Sequence, residues 1–524
     1  MNRRDFIKSS GVVGLSLGIP QLVPGKDEGP TSPRQEGSTL KVGFAERDIT
    51  PDPGMEVPGG YVKEREWKIH DPCKVRAAVF DDGQSQVALV GIDALIVPRH
   101  LVVAAREIIH KRSGIPAASV LIGASHSHSS GPTGMVQPGE YDHASQFVKK
   151  LAYEISSDAD ADYLERVQAE IVTAVSHAAS CLVEAQCGFG VGIENKVSFN
   201  RRLRMKNGLT YSHPGQGNPD IVGYAGPTDP QVGVVGVWDK SESLLGCIVN
   251  FACHATTNPG GFSANWIHYM EKTIRGALGP DLTVVFLQGC CGDVTQVDNL
   301  SPYAFPPGEK WAQFVGERVG AEAVKVLASV EPGDAMPLEA RSKLLKIKRR
   351  VPNPQRVHES YELLQKDRKQ VDATQWVFAK EIVLLDALLA KEPAADVEVQ
   401  AVQIGPAVFL TNPAEFFVEY GLELKAKCRF PFTLPVELAN GCIGYVPTEE
   451  AFGPHGGGYE TRLTSYSNLE PSAGRQIVEA GLELAGQMTP GKTPSPPKAL
   501  PFNSGPGGIG PSPWSYGDLP PQLD

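Results

Sequence analysis

Two histidines, His126 and His128, stand two positions apart in the stretch "ASHSHSSGPTG" (124–134) of a chain that has only 12 histidines in 524 residues. The apolar run before them, 119–124, predicts a buried strand. If that strand continues, its period of two points both imidazoles to the same side. Such a pair can supply a metal ligand and a proton-transfer group. The alternative is that the two residues only cap the end of a strand.

Four more polar residues follow apolar runs in the same manner. They are His254 in "NFACH", Glu415 in "NPAEF", Tyr445 in "GYVP" and Thr295 in "GDVT". Taken singly, they indicate an interior histidine, a carboxylate that starts a helix, a half-buried aromatic ring and a polar turn. Because enzymes built on sheets gather ligands at one end of their strands, the shared context favours a common site.

Two imidazoles, one carboxylate and one further oxygen form a suitable ligand set for zinc. Zn²⁺ accepts nitrogen and oxygen ligands and keeps one open position for water in catalytic sites. That water ionises near neutral pH and becomes a nucleophile. The pattern therefore indicates metal-assisted hydrolysis, although spacing alone does not show that the ligands meet.

The elements that must position these residues alternate between strands and helices. A hairpin is predicted over 74–92, since "DDG" is turn chemistry between two β-rich runs. A second hairpin, 232–253, leads into His254, and 283–287 is predicted as a buried strand. Helices are predicted over 100–112, 162–184, 310–330, 357–366, 374–389, 416–426 and 472–485. We expect an α/β chain with a mixed sheet, helices packed on it, and a strand-end metal site in one catalytic domain.

Composition divides the chain into four segments. "NRRDFIK" ahead of a short, glycine-rich apolar stretch resembles a twin-arginine export signal, so residues 1–24 are predicted as a signal and 25–40 as a linker. Residues 41–488 are predicted as the catalytic domain, and the Pro/Gly-rich segment 489–524 as a tail that cannot build a core. The protein is then expected to be periplasmic or secreted, with an uncleaved, membrane-anchoring signal as the alternative.

Charge and cysteine usage exclude some functions. The net charge is −11, and no dense Lys/Arg run exists beyond Lys346–Arg350, which argues against nucleic acid as a partner. No segment after the signal is apolar enough to be predicted as transmembrane. The nine cysteines form no C-x-x-C pair, and several sit in apolar runs, so free, buried thiols are expected.

Seven sequence pieces, in order, carry a resemblance to a known family. They are "VGFAERDITPDPGMEVPGGY", "ASHSHSSGPTG", "SFNRR", "NFACHATT", "GDVT", "NPAEFF" and "GYVPTEEAF…GGGYE". From about Lys41 to about Gln487 the chain resembles the neutral/alkaline, non-lysosomal ceramidases. That resemblance implies a zinc-dependent amidase with a mixed α/β catalytic domain, which cleaves the N-acyl bond of ceramide.

The resemblance also implies a role for each site residue. One zinc per chain would be held by His126, His254, Glu415 and Tyr445. His128 would stay off the metal as a proton-transfer group. The remaining implied residues are Arg201 and Tyr459, which would hold the substrate or stabilise the oxyanion, and Gly59 and Gly60, which would line the pocket.

Departures from the family pattern limit what is expected of the substrate. Thr295 and the following glutamine stand where the family has Ser-Pro, and the histidine run has one extra residue before Gly-Pro. The chain is expected to be a short member without the C-terminal β-sandwich domain. A zinc amidohydrolase acting on a small-molecule or lipid N-acyl compound is the leading hypothesis. The alternatives are a zinc hydrolase of another amide or ester, such as an N-acylated sugar, and a non-catalytic exported binding protein.

Overall fold

The computed structural model describes residues 39–306, 308–498 and 523. The predicted signal, most of the linker and most of the tail lie outside these residues, so the four-segment division stays a prediction. The first residues of the predicted tail contact the domain. The Thr489 carbonyl accepts a hydrogen bond from Gln403 Nε2 at 2.7 Å, and the Gly491 amide donates to the Gly405 carbonyl at 2.9 Å.

The described part of the chain forms strands β1 to β19. In chain order they are Lys41–Asp48, Lys74–Asp81, Gln86–Ile92, Val120–Ala124, Val183–Ile193, Phe199–Asn200, Arg202–Met205, Thr210–Ser212, Ile221–Tyr224, Gln231–Asp239, Leu244–Phe251, Thr283–Gln288, Val294–Thr295, Leu338–Lys348, Ala394–Ile404, Ala407–Thr411, Glu415–Phe416, Phe432–Val436 and Tyr445–Val446.

Helices α1 to α9 alternate with these strands. In chain order they are Arg99–Ser113, Gln146–Lys149, Ala161–Ser180, Trp266–Leu278, Glu309–Leu327, Pro354–Leu364, Ala373–Lys391, Val418–Lys427 and Ala473–Gly486. Local sequence sets several of their ends. Asp160 caps α3 by accepting the Tyr163 amide, Asp372 caps α7 by accepting the Gln375 amide, and Gly114 ends α1 with a φ of 77°.

Two sheets face each other at the centre of the fold. The larger has the order β12-β11-β10-β5-β1-β2-β3-β4, and the smaller has the order β14-β15-β16-β18. Side chains alternate between the two faces of a strand, so Ala78 and Phe80 of β2 point into the core between the sheets, where Val402 and Phe409 meet them. Both sheets are therefore buried on their inner faces.

Helices cover the outer faces of both sheets. Ala77 and Val79 of β2 point away from the inter-sheet core and pack with α1 and α3, while α4 and α5 cover β10 to β12. Helices α8 and α9 cover the smaller sheet. The prediction of a mixed α/β fold with helices packed on its sheets is confirmed.

The larger sheet coils so strongly that β12 contacts β3. A Cβ at Gly91 of β3 would overlap the carbonyl oxygen of Phe286 in β12, so only glycine permits this approach. The pairs β3–β4, β11–β12 and β16–β18 are parallel. Their C-terminal ends consequently lead into the same region, where loops can bring distant residues together.

Three local predictions are wrong. The helix predicted over 162–184 ends at Ser180, and Val183 already begins β5. Glu415 does not start a helix, because it lies in β17 and α8 begins at Val418. The helix predicted over 310–330 ends at Leu327. The buried strand predicted over 119–124 is confirmed as β4.

The expectation of free, mostly buried cysteines agrees with the structure. The nine cysteines, all within the described residues, are free, and six of them are buried. Among the described residues, no helix has both the length and the apolar composition that crossing a membrane requires.

Candidate active site

His126 and His128 converge through a turn and not through strand alternation. His126 has a φ of 59°, in the left-handed region that few residues other than glycine adopt. The two rings lie edge to face, with their centroids 4.7 Å apart and their Nε2 atoms 3.2 Å apart. The expectation that a continuing strand aims both rings was wrong, although the rings do meet.

His254 approaches the same point from the neighbouring part of the larger sheet. It follows the end of β11, and its ring centroid lies 4.6 Å from that of His126. The candidate ligand atoms of His126, His128 and His254 all lie within 4.8 Å of one another. Three imidazoles among the 12 in the chain thus form one group, and His126 and His254 are almost completely buried.

Glu415 brings a carboxylate to this group. Its Oε2 lies 3.2 Å from His126 Nε2 and 3.2 Å from His254 Nε2. The carboxylate is buried, which by itself would raise its pKa, but His126 and His254 hold the pKa well below its usual range. Glu415 is therefore ionised and placed between two ring nitrogens.

These residues fit a metal ion. A backbone carbonyl faces each Nδ1 atom, Leu95 O at 3.0 Å from His126 and Cys291 O at 2.7 Å from His254, so in the neutral form of each ring, the form that binds a metal, the proton lies on Nδ1. Both Nε2 atoms then point lone pairs at a carboxylate, an arrangement that a shared cation stabilises. Zinc bonds of 2.0–2.2 Å put neighbouring tetrahedral ligands roughly 3.3 Å apart, close to the separations found here.

Tyr445 lies next to Glu415 through the parallel pair β17–β19. Its hydroxyl is 3.1 Å from the hydroxyl of Tyr459, and the two rings meet edge to face. Burial raises the pKa of both phenols, so both remain protonated at neutral pH. The structure thus places Tyr445 and Tyr459 together on one side of the carboxylate.

Arg201 supplies a buried positive charge beside the imidazoles. Its Nη1 lies 3.1 Å from His254 Nε2, and its guanidinium lies over the Tyr459 ring, 4.9 Å from the centroid. Glu460 fixes it by accepting from Nε at 2.8 Å, and the Gly292 carbonyl accepts from Nη2 at 2.7 Å. This group can stabilise a developing negative charge on a reacting oxygen.

His128 differs from the other two imidazoles in its contacts. Burial, together with His126 and His254, holds its pKa well below the usual range, so the ring is neutral. Gly59, with a φ of 117°, packs directly against the His128 ring. Gly60 lines a small cavity with Tyr61 and Tyr466. The two predicted pocket glycines therefore lie at the site.

Thr295 is placed differently from the other predicted residues. It lies in β13, opposite Phe199 of β6, and is almost completely buried. Its hydroxyl accepts a hydrogen bond from the Val297 amide at 3.2 Å. The backbone of its neighbour Val294 contacts His254, through the His254 Nδ1 atom at 3.1 Å. Thr295 therefore belongs to the loop that supports His254.

Sequence reasoning missed several residues that hold the site together. Glu437, fully buried, accepts hydrogen bonds from the backbone amides of Cys291 and Phe416 at 3.0 and 2.8 Å. Tyr466 donates to Glu415, and Glu460 fixes Arg201. Glu437 directly follows the apolar strand β18, which is the same signal that marks His254, whereas no apolar run precedes Tyr466 or Glu460.

Comparisons with known proteins bear on the family and the fold. No protein family model matches the chain. The neutral ceramidase of Pseudomonas aeruginosa is 24% identical over 317 residues, which are 57% of this chain and 43% of that protein. The chain is thus similar to a neutral ceramidase over this segment. The matched segment spans less than half the length of that curated relative.

Solved structures of ceramidases share the fold. A crystal structure of neutral ceramidase from Pseudomonas aeruginosa has a TM-score of 0.63 and 19% identity, over 88% of this chain and 77% of that one. A structure described as ceramidase complexed with C2 has a TM-score of 0.62 and 18% identity, over 87% and 77% of the two chains. The family resemblance found in the sequence is therefore confirmed.

Proposed function

We propose that the chain is a zinc-dependent amidohydrolase that cleaves an N-acyl amide bond, as the resemblance to neutral ceramidases implies. The observation that carries this proposal is the convergence of His126, His128, His254 and Glu415 at the strand ends of a ceramidase fold. The relatedness to a neutral ceramidase supports the reaction class.

Different residues of the site would have different roles in amide hydrolysis. His126, His254 and Glu415 would hold one zinc ion, with Tyr445 as the fourth ligand. Bound there, zinc polarises a carbonyl and lowers the pKa of water to near neutrality. The neutral His128 ring accepts the proton of the attacking water and returns it to the amine that leaves.

Arg201 and Tyr459 handle the charge that develops on the carbonyl oxygen. The guanidinium is held in place by Glu460 and the Gly292 carbonyl, so little reorganisation is needed when the oxygen becomes negative. The Tyr459 hydroxyl, kept protonated by burial, is a second donor. Removing one donor of this kind costs about 10²–10³ in kcat.

Metal analysis of the purified protein tests the cofactor. We expect about one tightly held zinc per chain, and a loss of most of it in His126→Ala and His254→Ala, because the remaining ligands cannot complete a tetrahedral set. Stoichiometric zinc in both variants would refute the ligand assignment.

A substrate panel tests the reaction. The wild-type protein should release fatty acid from an N-acyl-sphingosine, with N-acyl-glucosamine and a fatty-acid ester as the competing classes. Hydrolysis of only one of the competitors would assign a different substrate. Zinc binding without turnover on any of them would make the protein a binding protein.

We propose further that residues 1–24 direct export by a twin-arginine route. Arg3 and Arg4 ahead of a short apolar stretch support this. Cell fractionation should find the full-length protein outside the cytoplasm and an Arg3→Lys/Arg4→Lys variant inside it. Equal distribution of the two proteins would contradict the proposal.

A further inference from the structure

The two carboxylate oxygens of Glu415 have different partners. Oε2 faces the Nε2 atoms of His126 and His254, each at 3.2 Å. Oε1 instead accepts a hydrogen bond from the Tyr466 hydroxyl at 2.8 Å. The carboxylate is thus divided between the imidazoles on one side and a phenol on the other.

The Tyr466 side chain is held in this place by its surroundings. Its ring meets the Tyr445 ring edge to face, with centroids 5.8 Å apart. Its carbonyl packs against the Gly444 turn, where φ is 72° and a Cβ would overlap that carbonyl. Residue 444 therefore has to be glycine for the Tyr466 segment to lie against the strand that carries Tyr445.

A buried ion pair on helix α7 fixes the neighbouring residue. Ser465 Oγ donates to Glu381 Oε2 at 2.5 Å. Glu381 is paired with Lys380, whose ammonium also donates to Ser156 Oγ at 2.6 Å. Lys380 is fully buried and Glu381 is 2% exposed. Such a pair is costly to disturb, because either partner alone would be a buried, uncompensated charge.

A continuous set of contacts therefore runs from helix α7 to the candidate metal site. The Lys380–Glu381 pair holds Ser465, and the next residue, Tyr466, holds Glu415. Helix α7 supplies no ligand of its own. Its effect on the site passes through the 465–466 backbone.

We propose that Tyr466 is a positioning residue that makes Glu415 a ligand through one oxygen, and that the Lys380–Glu381 pair of α7 braces it through Ser465. The proposal rests on the proposed function, since it assumes that the site binds a metal. With Oε1 occupied by the phenol, only Oε2 is presented to the position shared with His126 and His254. Hydrogen bonds from outside the ligand set orient ligands in this manner, and their loss typically costs 10–100-fold in metal affinity.

Tyr466→Phe is the decisive variant, because it deletes the hydroxyl and keeps the ring packing against Tyr445. Zinc affinity, measured by competition with a chromogenic chelator, should fall by about 10–100-fold. Ser465→Ala should weaken it in the same direction by a smaller factor. Tyr163→Phe is the matched control, since its buried hydroxyl donates to the Ile49 carbonyl at 2.7 Å and touches no site residue. Its zinc affinity should equal that of the wild type.

Cobalt substitution provides a spectroscopic measurement that would not change if Tyr466 only stabilised the fold. The visible absorption of cobalt(II) weakens as its coordination number increases. If the phenol occupies Oε1, Tyr466→Phe frees that oxygen, and Glu415 can bind through both oxygens. We expect the visible absorption of cobalt-loaded Tyr466→Phe to weaken relative to the wild type, with the Tyr163→Phe spectrum unchanged.

The outcomes separate this inference from the proposed function. If the wild type binds zinc and Tyr466→Phe matches it in affinity and cobalt spectrum, the positioning role is wrong and the metal site stands. If affinity falls equally in Tyr466→Phe and Tyr163→Phe, the effect is general destabilisation, and the inference is again wrong. If the wild type binds neither zinc nor cobalt, the proposed function fails and this inference fails with it.

Discussion

Gly59→Ala is expected to disable the site by displacing the His128 ring. A Cβ at residue 59 would lie 3.0 Å from both Cγ and Cε1 of His128, and closer still to Nδ1, where ordinary contacts are 3.4–4 Å. The imidazole is the nearest group to this position, and it packs edge to face on His126. The ring therefore has to move if the backbone of residue 59 stays in place.

The size of the effect follows from that displacement. Relieving the overlap requires a shift of the ring by about 1 Å, and misplacing a catalytic group by 1 Å costs roughly 10²-fold in rate. The φ of 117° adds backbone strain of about 1–3 kcal/mol for a residue that has a Cβ. We expect kcat to fall about 100-fold, and stability to fall modestly, while zinc content stays near one per chain because His126, His254 and Glu415 are untouched.

Gly114→Ala separates the strain from the displacement. Gly114 also has a positive φ, 77°, but no heavy atom lies within 4 Å of the Cβ that alanine would add there. Thermal denaturation should show both variants destabilised, while only Gly59→Ala loses amide hydrolysis per folded molecule. Full activity in Gly59→Ala, or an equal loss in Gly114→Ala, would refute the reasoning.

Three further expectations concern single residues. His128→Ala should keep its zinc and lose activity by roughly 10²–10⁴-fold, measured with metal analysis on the same sample; full activity would remove His128 from the mechanism. Thr295→Ser should work nearly as well as the wild type, and Thr295→Val should lose about one to two orders of magnitude, with no acyl adduct detected by mass spectrometry; an adduct on Thr295 would indicate covalent catalysis. Although burial opposes it, Arg76 and Lys74 lower the pKa of Glu271 to about 2, so Glu271 contributes about 3 kcal/mol of stability above pH 4.5, which is lost as pH falls towards 2. Denaturant titrations should find Glu271→Gln less stable by about that amount at pH 7, with the difference closing in acid; a constant difference would contradict the assignment.

Local patterns identified most of the fold but not how its layers meet. The hairpin β2–β3 and the strand β12 were predicted from apolar runs and turn residues, and the structure has them. The strand Leu338–Lys348 was missed, because it lies at the edge of its sheet and charged residues interrupt its apolar pattern. The two sheets face each other through contacts between residues that are hundreds of positions apart in the sequence. Hydrophobic periodicity carries no information about such contacts.

The site was predictable as a set of residues and not as a geometry. His126 and His254 could be found because each follows an apolar strand. The position of the His126 ring depends on the positive φ of that residue, which the neighbouring sequence does not predict. Glu415 was expected at a helix start, but β17 pairs with β19 and holds it beside Tyr445 instead. At Glu415 the pairing of β17 with β19 takes the place of helical structure, and helix α8 begins three residues later, at Val418.

The candidate ligands are held mainly by backbone groups that follow other strands. Leu95, after β3, fixes the His126 ring with its carbonyl, and Cys291, after β12, fixes the His254 ring. Glu437, after β18, in turn accepts the amides of Cys291 and Phe416 and so ties the His254 loop to the strand that carries Glu415. Every residue has a backbone carbonyl, and nearly every residue has a backbone amide, whatever its side chain. The position of these groups is set by the register of the strands. Changes of side chain on these strands should therefore be tolerated at the site as long as the register is kept, and a one-residue shift of β12 against β11 should separate Cys291 from His254 and remove the metal site.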